Sequence, residues 1–268
     1  MEQLPDWVPD GIEVTVPNAA RAYDYLLGGY HNFAVDRDFV DRMETLAPGA
    51  IAHGHANRAF VGRSVRWLVD AGIRQFLDIG SGIPTLGNVH EVAQAVAPES
   101  TVVYVDIDPV AVAHSKAILA GNPLTAAIQA DVQHPADILQ HPDVRKLLDF
   151  SRPVAVLLNA VLHFVPDSAD LAGVLAQFGS VLASGSYVTM THGVQVKEWV
   201  DDAAGVQRLY QRAPSAAHSR TREQILDLFT GLEVVEPGLV PANDWHPDPE
   251  ASGDTPLEGL LAIVGRKP

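Results

Sequence analysis

The sequence predicts an α/β fold, a largely parallel sheet preceded by a helical extension. Three observations predict it. From residue 73 onward, short apolar runs alternate with stretches of helical periodicity, the pattern of parallel strands joined by helices. The run 154–158 (Val-Ala-Val-Leu-Leu) is wholly apolar, as expected of a central strand covered on both faces. Residues 1–72, by contrast, show helical spacing and no strand. The expected division is a helical extension or lid, residues 1–72, and an α/β domain, residues 73–268, with a helical insertion near 195–219.

Taken in order, residues 1–16 read as a draped arm. Asn18 can cap a helix that runs to Leu27 and stops at Gly28-Gly29. Val35, Phe39, Val40, Met43 and Leu46 mark a second helix, broken by Pro48-Gly49. Phe60, Val61, Val65, Leu68 and Val69 mark a third, closed by Gly72. His53-Gly54-His55 reads as a loop before it; a metal-binding helix would set its histidines four apart, so no metal is expected. Residues 73–79 form the first strand, and the chain then turns through Gly80-Ser81-Gly82. Leu86, Val89, Val92, Ala93 and Val96 follow at helical spacing. The second strand, 101–108, ends in Asp108-Pro109, an N-cap and first turn for a helix with Val110, Ala113, Ala117 and Ile118. A third strand is read at 126–130, then a helical stretch, 137–149, broken at Pro142. After the strand 154–158, Ser168 is expected to cap a helix that turns Leu171, Val174, Leu175 and Phe178 inward. A strand at 187–191 ends in His192-Gly193. Thr221 and Gln224 make a capping box for a helix with Ile225, Leu228 and Phe229. Two more strands fall at 232–235 and 260–264. Between them, 237–259 reads as a polar connection.

Composition bounds the function. The chain has 268 residues, 47% of them hydrophobic and 19% charged, which is ordinary globular composition. It has no cysteine, which excludes thiolate nucleophiles, thiolate metal sites and disulfides. Its formal net charge of −15 repels phosphate backbones, so nucleic acid is not an expected partner. Arg58, Arg63, Arg66 and Arg74 read as a solvated helix face. Neither a signal peptide nor an apolar run of about 18 residues occurs, so no membrane partner is expected and the expected location is cytoplasmic.

The chemistry centres on residues 76–85. A strand, a Gly-x-Gly turn and a helix let a ligand approach the backbone closely. The dinucleotide fingerprint needs a third glycine where this chain has Thr85, after Pro84, so it is not met. Asp106 follows Gly82 by 24 residues, near the roughly 20 at which an acid bonds ribose hydroxyls. Ligands in such sheets sit beyond the carboxyl ends of strands. That rule also brings in Asn159, and it makes His163 and His192 candidates for a general base or an acceptor-orienting group. In the extension, Tyr23, Tyr25, Asn32 and Arg58 are candidate lid and substrate residues.

Asp78-Ile79-Gly80-Ser81-Gly82, Asp106, Ala130-Asp131-Val132 and Asn159-Ala160-Val161-Leu162-His163-Phe164 resemble the cofactor motifs of class I S-adenosylmethionine-dependent methyltransferases. Residues 17–29, Asn32-Phe33-Ala34-Val35-Asp36-Arg37 and residues 72–80 look like the signature of one bacterial family, the S-adenosyl methyltransferases, first catalogued as a domain of unknown function. The resemblance covers nearly the whole chain. It implies a Rossmann-like sheet of seven mostly parallel strands, the last antiparallel. It implies S-adenosylmethionine as cofactor and S-adenosylhomocysteine as product, and it names no substrate; the acceptor expected here is a small molecule. It also implies a cofactor site made by Asp78, Gly80, Ser81, Gly82, Asp106, Ile107, Asp131, Val132 and Asn159, with Asp131 on the adenine amino group. Two other classes compete: a non-catalytic cofactor-binding protein, and a nicotinamide-dependent oxidoreductase. The second fits Asp106 but lacks the third glycine and a Tyr-x-x-x-Lys relay.

Overall fold

A computed structural model of the chain describes residues 13–84, 87–194, 218–248 and 258–268. Its strands are β1 (Gln75–Ile79), β2 (Thr101–Asp106), β3 (Thr125–Gln129), β4 (Ala155–Asn159), β5 (Tyr187–Gly193), β6 (Glu233–Val234), β7 (Val240–Pro241) and β8 (Leu260–Arg266). They form one sheet in the order β3-β2-β1-β4-β5-β8-β6, with β7 also paired to β8. Strands β1 to β5 are parallel. The last strand, β8, runs antiparallel to β5, β6 and β7. The predicted sheet class is therefore the observed one, with the two-residue β7 added. The helices are α1 (Ala19–Leu26), α2 (Ala34–Leu46), α3 (Ala50–Asp70), α4 (Val89–Val96), α5 (Pro109–Ile118), α6 (Pro135–Leu139), α7 (Pro142–Leu147), α8 (Leu171–Val181) and α9 (Arg222–Asp227).

Side chains alternate across the sheet, and both faces are covered. Leu77, Ile79, Val103, Val105, Val156 and Leu158 face one core, shared with α6, α7 and α8. Phe76, Val102, Tyr104, Ala155 and Leu157 face the other, packed by α3 and α4. This is why 154–158 is apolar at every position. From β1 the chain steps outward through β2 and β3, then returns to β4 on the far side of β1. The order reverses between β1 and β4, and a crevice opens there at the carboxyl ends.

Several local expectations are corrected. Helix α3 begins at Ala50, so His53-Gly54-His55 is helical and not a loop. A Cβ on Gly54 would collide with the Leu26 side chain, so this glycine marks a close helix crossing where a loop is expected. Helix α8 is capped by Asp170, whose side chain accepts from the Gly173 N–H at 2.9 Å, and not by Ser168. Helix α4 starts only after Asn88; Thr85 and Leu86 lie outside the described residues.

The stretch read as a polar connection contains β7 and a fully buried Trp245, whose ring meets Phe60 edge-on at 5.3 Å and Trp67 at 5.9 Å. The arginines are not one solvated face. Arg63 is buried and donates to the carbonyls of Ala242 (2.6 Å) and Trp245 (3.0 Å). Arg74 donates to the Val69 and Ile73 carbonyls and to Glu99. Most of the predicted arm and the insertion, residues 1–12 and 195–217, lie outside the described residues. Among the described residues, no helix is long and apolar enough to cross a membrane, and no cluster of His, Asp and Glu could hold a metal.

Candidate functional site

A cavity of about 490 Å³ occupies the crevice at the ends of β1, β2 and β4, with α1, α2 and α3 forming its other wall. Asp78, Gly80, Ser81, Gly82, Asp106, Ile107, Asp131, Val132 and Asn159 all line it. So do Tyr23, Arg58 and His163. Tyr25, Asn32 and His192 are not among its lining residues.

The glycine turn is held by β2. The N–H groups of Gly80 and Ser81 donate to the Val105 carbonyl at 2.8 and 3.1 Å. Gly80 has φ 73°, and a Cβ there would run into the Val161 side chain. The Asp106 carboxylate accepts from the Gly82 N–H at 2.7 Å and from the Asp108 N–H at 2.9 Å. It thus pins the turn to the start of α5, where Asp108 caps the helix through the Val110 N–H at 2.7 Å. Burial pushes Asp106 up to about 6, against the pull of these N–H groups. Burial also pushes Asp78 up to about 7, opposed by Arg58 and reinforced by Asp106.

Several buried polar atoms of cavity-lining residues have no hydrogen-bond partner among the described residues: Arg58 Nε, Asn159 Nδ2, Asp108 Oδ2 and His163 Nδ1. Buried polar groups are nearly always paired, so such a cluster in a cavity offers donors and acceptors to water or to a polar ligand.

The two candidate histidines differ. His192 is 1% exposed; its Nε2 lies 2.9 Å from an Arg220 nitrogen and its Nδ1 2.8 Å from the Gly193 carbonyl. A guanidinium only donates, so Nε2 must accept and Nδ1 must carry the proton. Both ring nitrogens are engaged, and burial lowers the group to about 4. This arrangement, away from the cavity wall, cannot take a proton from an acceptor without breaking the Arg220 contact. His163 lines the cavity; burial, His192 and Arg220 together lower it to about 3.

Arg220 was not singled out by sequence reasoning. It donates to the carbonyls of Leu162 (2.8 Å) and Val165 (2.9 Å) and to Asp167 (3.0 Å), clamping the short turn that carries His163. Next to it, the His218 N–H donates to the His163 carbonyl at 2.7 Å. Nothing local in sequence announces these contacts.

Tyr25 bonds Asp41 at the surface. Asn32 is buried in the turn between α1 and α2. It donates to Asp24 (2.9 Å) and the Gly29 carbonyl (3.0 Å), and it accepts from Arg37 (3.0 Å). Its neighbourhood is completed by a buried ion pair, Arg21 with Asp36 at 2.9 Å, whose carboxylate also accepts from the Asn18 and Phe33 N–H groups.

A family profile described as S-adenosyl methyltransferase matches residues 5–268. The chain belongs to that family. S-adenosylmethionine is accordingly the cofactor, and the protein is an S-adenosylmethionine-dependent methyltransferase. A solved structure of a DUF574-family protein from Streptomyces avermitilis is 40% identical, with a TM-score of 0.90 over 95% of this chain and 99% of that one. A candidate methyltransferase from Thermobifida fusca is 41% identical, with a TM-score of 0.89 over 98% and 99%. An O-methyltransferase family protein from Burkholderia thailandensis, 14% identical with a TM-score of 0.50 over 84% and 62%, shares the fold. No curated protein matches the sequence. The methyltransferase cavity is chemically suited to its cofactor. Orphaned donors on Arg58 and Asn159 suit a carboxylate and other acceptors. The buried carboxylates Asp78 and Asp106 suit an ammonium and hydroxyls.

Proposed function

We propose that the methyltransferase transfers its methyl group to a small-molecule acceptor held in this cavity, between the sheet and a lid made by the helical extension. The observation that carries the reading is the cavity's two-part lining. Carboxylates, glycine backbone and Asn159 lie at the strand ends; Leu26, Phe39, Met43 and Phe164 line the rest. An apolar chamber beside a polar ligand site excludes water from a transfer and leaves room for a compact organic molecule.

Bound S-adenosylmethionine supplies an electrophilic methyl group on a sulfonium. Asp106 keeps lone pairs beyond the two given to Gly82 and Asp108, and these bond the ribose hydroxyls. Asp78 and Arg58 hold the oppositely charged ends of the amino-acid moiety. Ile107 and Val132 wall the adenine, and Asp131 accepts from its amino group. Asn159 donates through its free Nδ2. His163, with its proton affinity suppressed, orients the acceptor by a hydrogen bond and is a poor proton sink. His192 acts only through Arg220, as a positioning residue. Tyr23 and Arg58 close the chamber from the extension, whereas Tyr25 and Asn32 hold the extension together.

The test is transfer of a radiolabelled methyl group from S-adenosylmethionine into fractionated extract of the source organism. Label in the small-molecule fraction supports the proposal. Label confined to protein or nucleic acid refutes it.

A further inference from the structure

One hydrogen-bond chain crosses the cavity wall and touches three elements far apart in sequence. On the inner side, the Ala160 N–H donates to Thr191 Oγ1 at 2.8 Å and shares itself with the Thr191 carbonyl at 3.2 Å. Thr191, fully buried on β5, donates its hydroxyl to Asn57 Oδ1 at 2.6 Å. Asn57, 5% exposed on α3, donates from Nδ2 to the Tyr23 hydroxyl at 2.8 Å. Tyr23, on α1, donates in turn to the Gly54 carbonyl at 3.2 Å.

The chain has one direction. An amide N–H can only donate, so the Thr191 hydroxyl accepts from Ala160. Its own proton goes to the oxygen of Asn57, and that residue's nitrogen faces Tyr23. A terminal carbonyl, Gly54, closes the sequence. Every member has one role, and removing any of them leaves a buried partner unpaired.

The inner end is a conformation that needs holding. Ala160 has φ 55°, a left-handed geometry that a residue with a Cβ disfavours. It lines the cavity, follows Asn159 directly and precedes Val161, whose side chain seats against Gly80. Its outer end is α1, the first helix of the extension. Thr189 supports the same turn by donating to Asn159 Oδ1 at 3.2 Å, which leaves Nδ2 as that side chain's free donor.

We propose that Tyr23, Asn57 and Thr191 are positioning residues that hold the Asn159–Ala160 turn in its left-handed form, so that seating α1 on α3 and shaping the cavity floor are one coupled event. The structural half stands on the hydrogen bonds alone. The functional half, that the floor binds cofactor, rests on the reading of the cavity given above.

Two measurements separate these halves. The first is hydrogen exchange at the Ala160 amide in cofactor-free protein. Tyr23→Phe removes the hydroxyl that receives Asn57 and touches neither Thr191 nor Ala160. It should speed Ala160 exchange about fivefold or more, the effect of one hydrogen bond. Thr191→Val should do the same, whereas Thr191→Ser, which keeps the hydroxyl, should restore protection. Unchanged Ala160 exchange in folded Tyr23→Phe overturns the proposal, as does equal loss of protection in Thr191→Ser and Thr191→Val, which would mean packing alone. The second is calorimetric titration with S-adenosylhomocysteine. Each of Tyr23→Phe and Thr191→Val should weaken binding about three- to tenfold, and the double variant no more than the stronger single one. Losses that multiply would mean independent effects and overturn the coupling. Should the wild-type protein itself fail to bind S-adenosylhomocysteine, the cofactor reading falls, and the exchange data still decide the hydrogen-bond chain.

Discussion

Replacing Asp106 with Asn should leave the fold intact or firmer while removing most of the cofactor affinity. Its carboxylate is 8% exposed and sits near Asp78, and burial raises it from the ordinary carboxylate value to about 6. A raised carboxylate pKa means that the folded state holds its proton more tightly than the unfolded chain does. The associated penalty is absent below about pH 4 and fully present above about pH 6. At neutral pH a shift of this size corresponds to roughly 2–3 kcal/mol of lost stability. An amide of the same shape avoids that penalty. Against this, Asn can still accept from the Asp108 N–H through its oxygen, but it must then turn its NH₂ toward the Gly82 N–H. That mismatch costs about 1–3 kcal/mol, so the two changes nearly cancel in the melting temperature. They do not cancel in binding. The turn at Gly82 loses its anchor and the ribose loses a charged acceptor, together about 2–4 kcal/mol, or roughly a 30- to 1000-fold weaker S-adenosylhomocysteine complex. Calorimetry and thermal unfolding between pH 4 and 8 provide the assay. The variant's stability should be flatter with pH than the wild type's. A folded Asp106→Asn protein with wild-type affinity would refute the reasoning, because neither the anchoring of Gly82 nor the carboxylate's charge would then contribute to binding.

The remaining expectations follow from the same site. S-adenosylhomocysteine affinity should rise with pH up to about 7, with proton release below that point. Burial and Asp106 hold Asp78 up to about 7 against Arg58 in the free protein, and the ligand's ammonium favours its ionised form; titrations in buffers of different ionisation enthalpy would count the protons, and a flat profile would remove Asp78 from the ligand. Gly80→Ala must force a Cβ into a left-handed residue and into Val161, so it should cost about 2–4 kcal/mol of stability and abolish binding, as read by denaturant unfolding. Arg220→Ala should free His192 to rotate and release the Leu162 and Val165 carbonyls, destabilising the fold by about 2–4 kcal/mol, whereas His192→Gln, with an acceptor for Arg220, should lose far less. Once an acceptor is identified, His163→Ala should raise its KM more than it lowers kcat, and a steep fall in kcat alone would instead assign His163 as the base.

What could be read from the sequence was what rests on local periodicity. Both faces of β1, β2 and β4 are buried, so each strand announces itself as an apolar run. The glycine turn and Asp106 stand at the ends of such runs, which is why the strand-end argument reached Gly80, Gly82, Asp106 and Asn159; Asp78, Ile107, Asp131 and Val132 came from the family resemblance, and the lining residues Ile79, Asp108, Ala130 and Gln133 from neither. Long-range chemistry left no such trace. Gly54 looks like a helix breaker, because its reason for being glycine is Leu26 on another helix. Trp245 sits among polar residues, and its apolar partners, Phe60 and Trp67, come from α3. His192 has the position of a base, at a strand end beside the crevice. Its lone pair is nevertheless committed to Arg220, 28 residues later in the chain.

That commitment carries consequences for the chemistry. With His192 held neutral by a guanidinium, the positive charge of Arg220 stays close to His163 and helps keep its ring unprotonated. In the polar half of the cavity two carboxylates, Asp78 and Asp106, are crowded into burial together, offset in part by Arg58. A cofactor that brings positive charge relieves the strand-end carboxylates, while the histidine end offers a neutral hydrogen-bonding ring. On the proposed function, the cationic methyl donor is drawn to one wall, and the acceptor meets a surface that orients it without claiming its proton. Such a division suits nucleophiles that are already reactive at neutral pH, for which proximity and a dry chamber supply most of the rate.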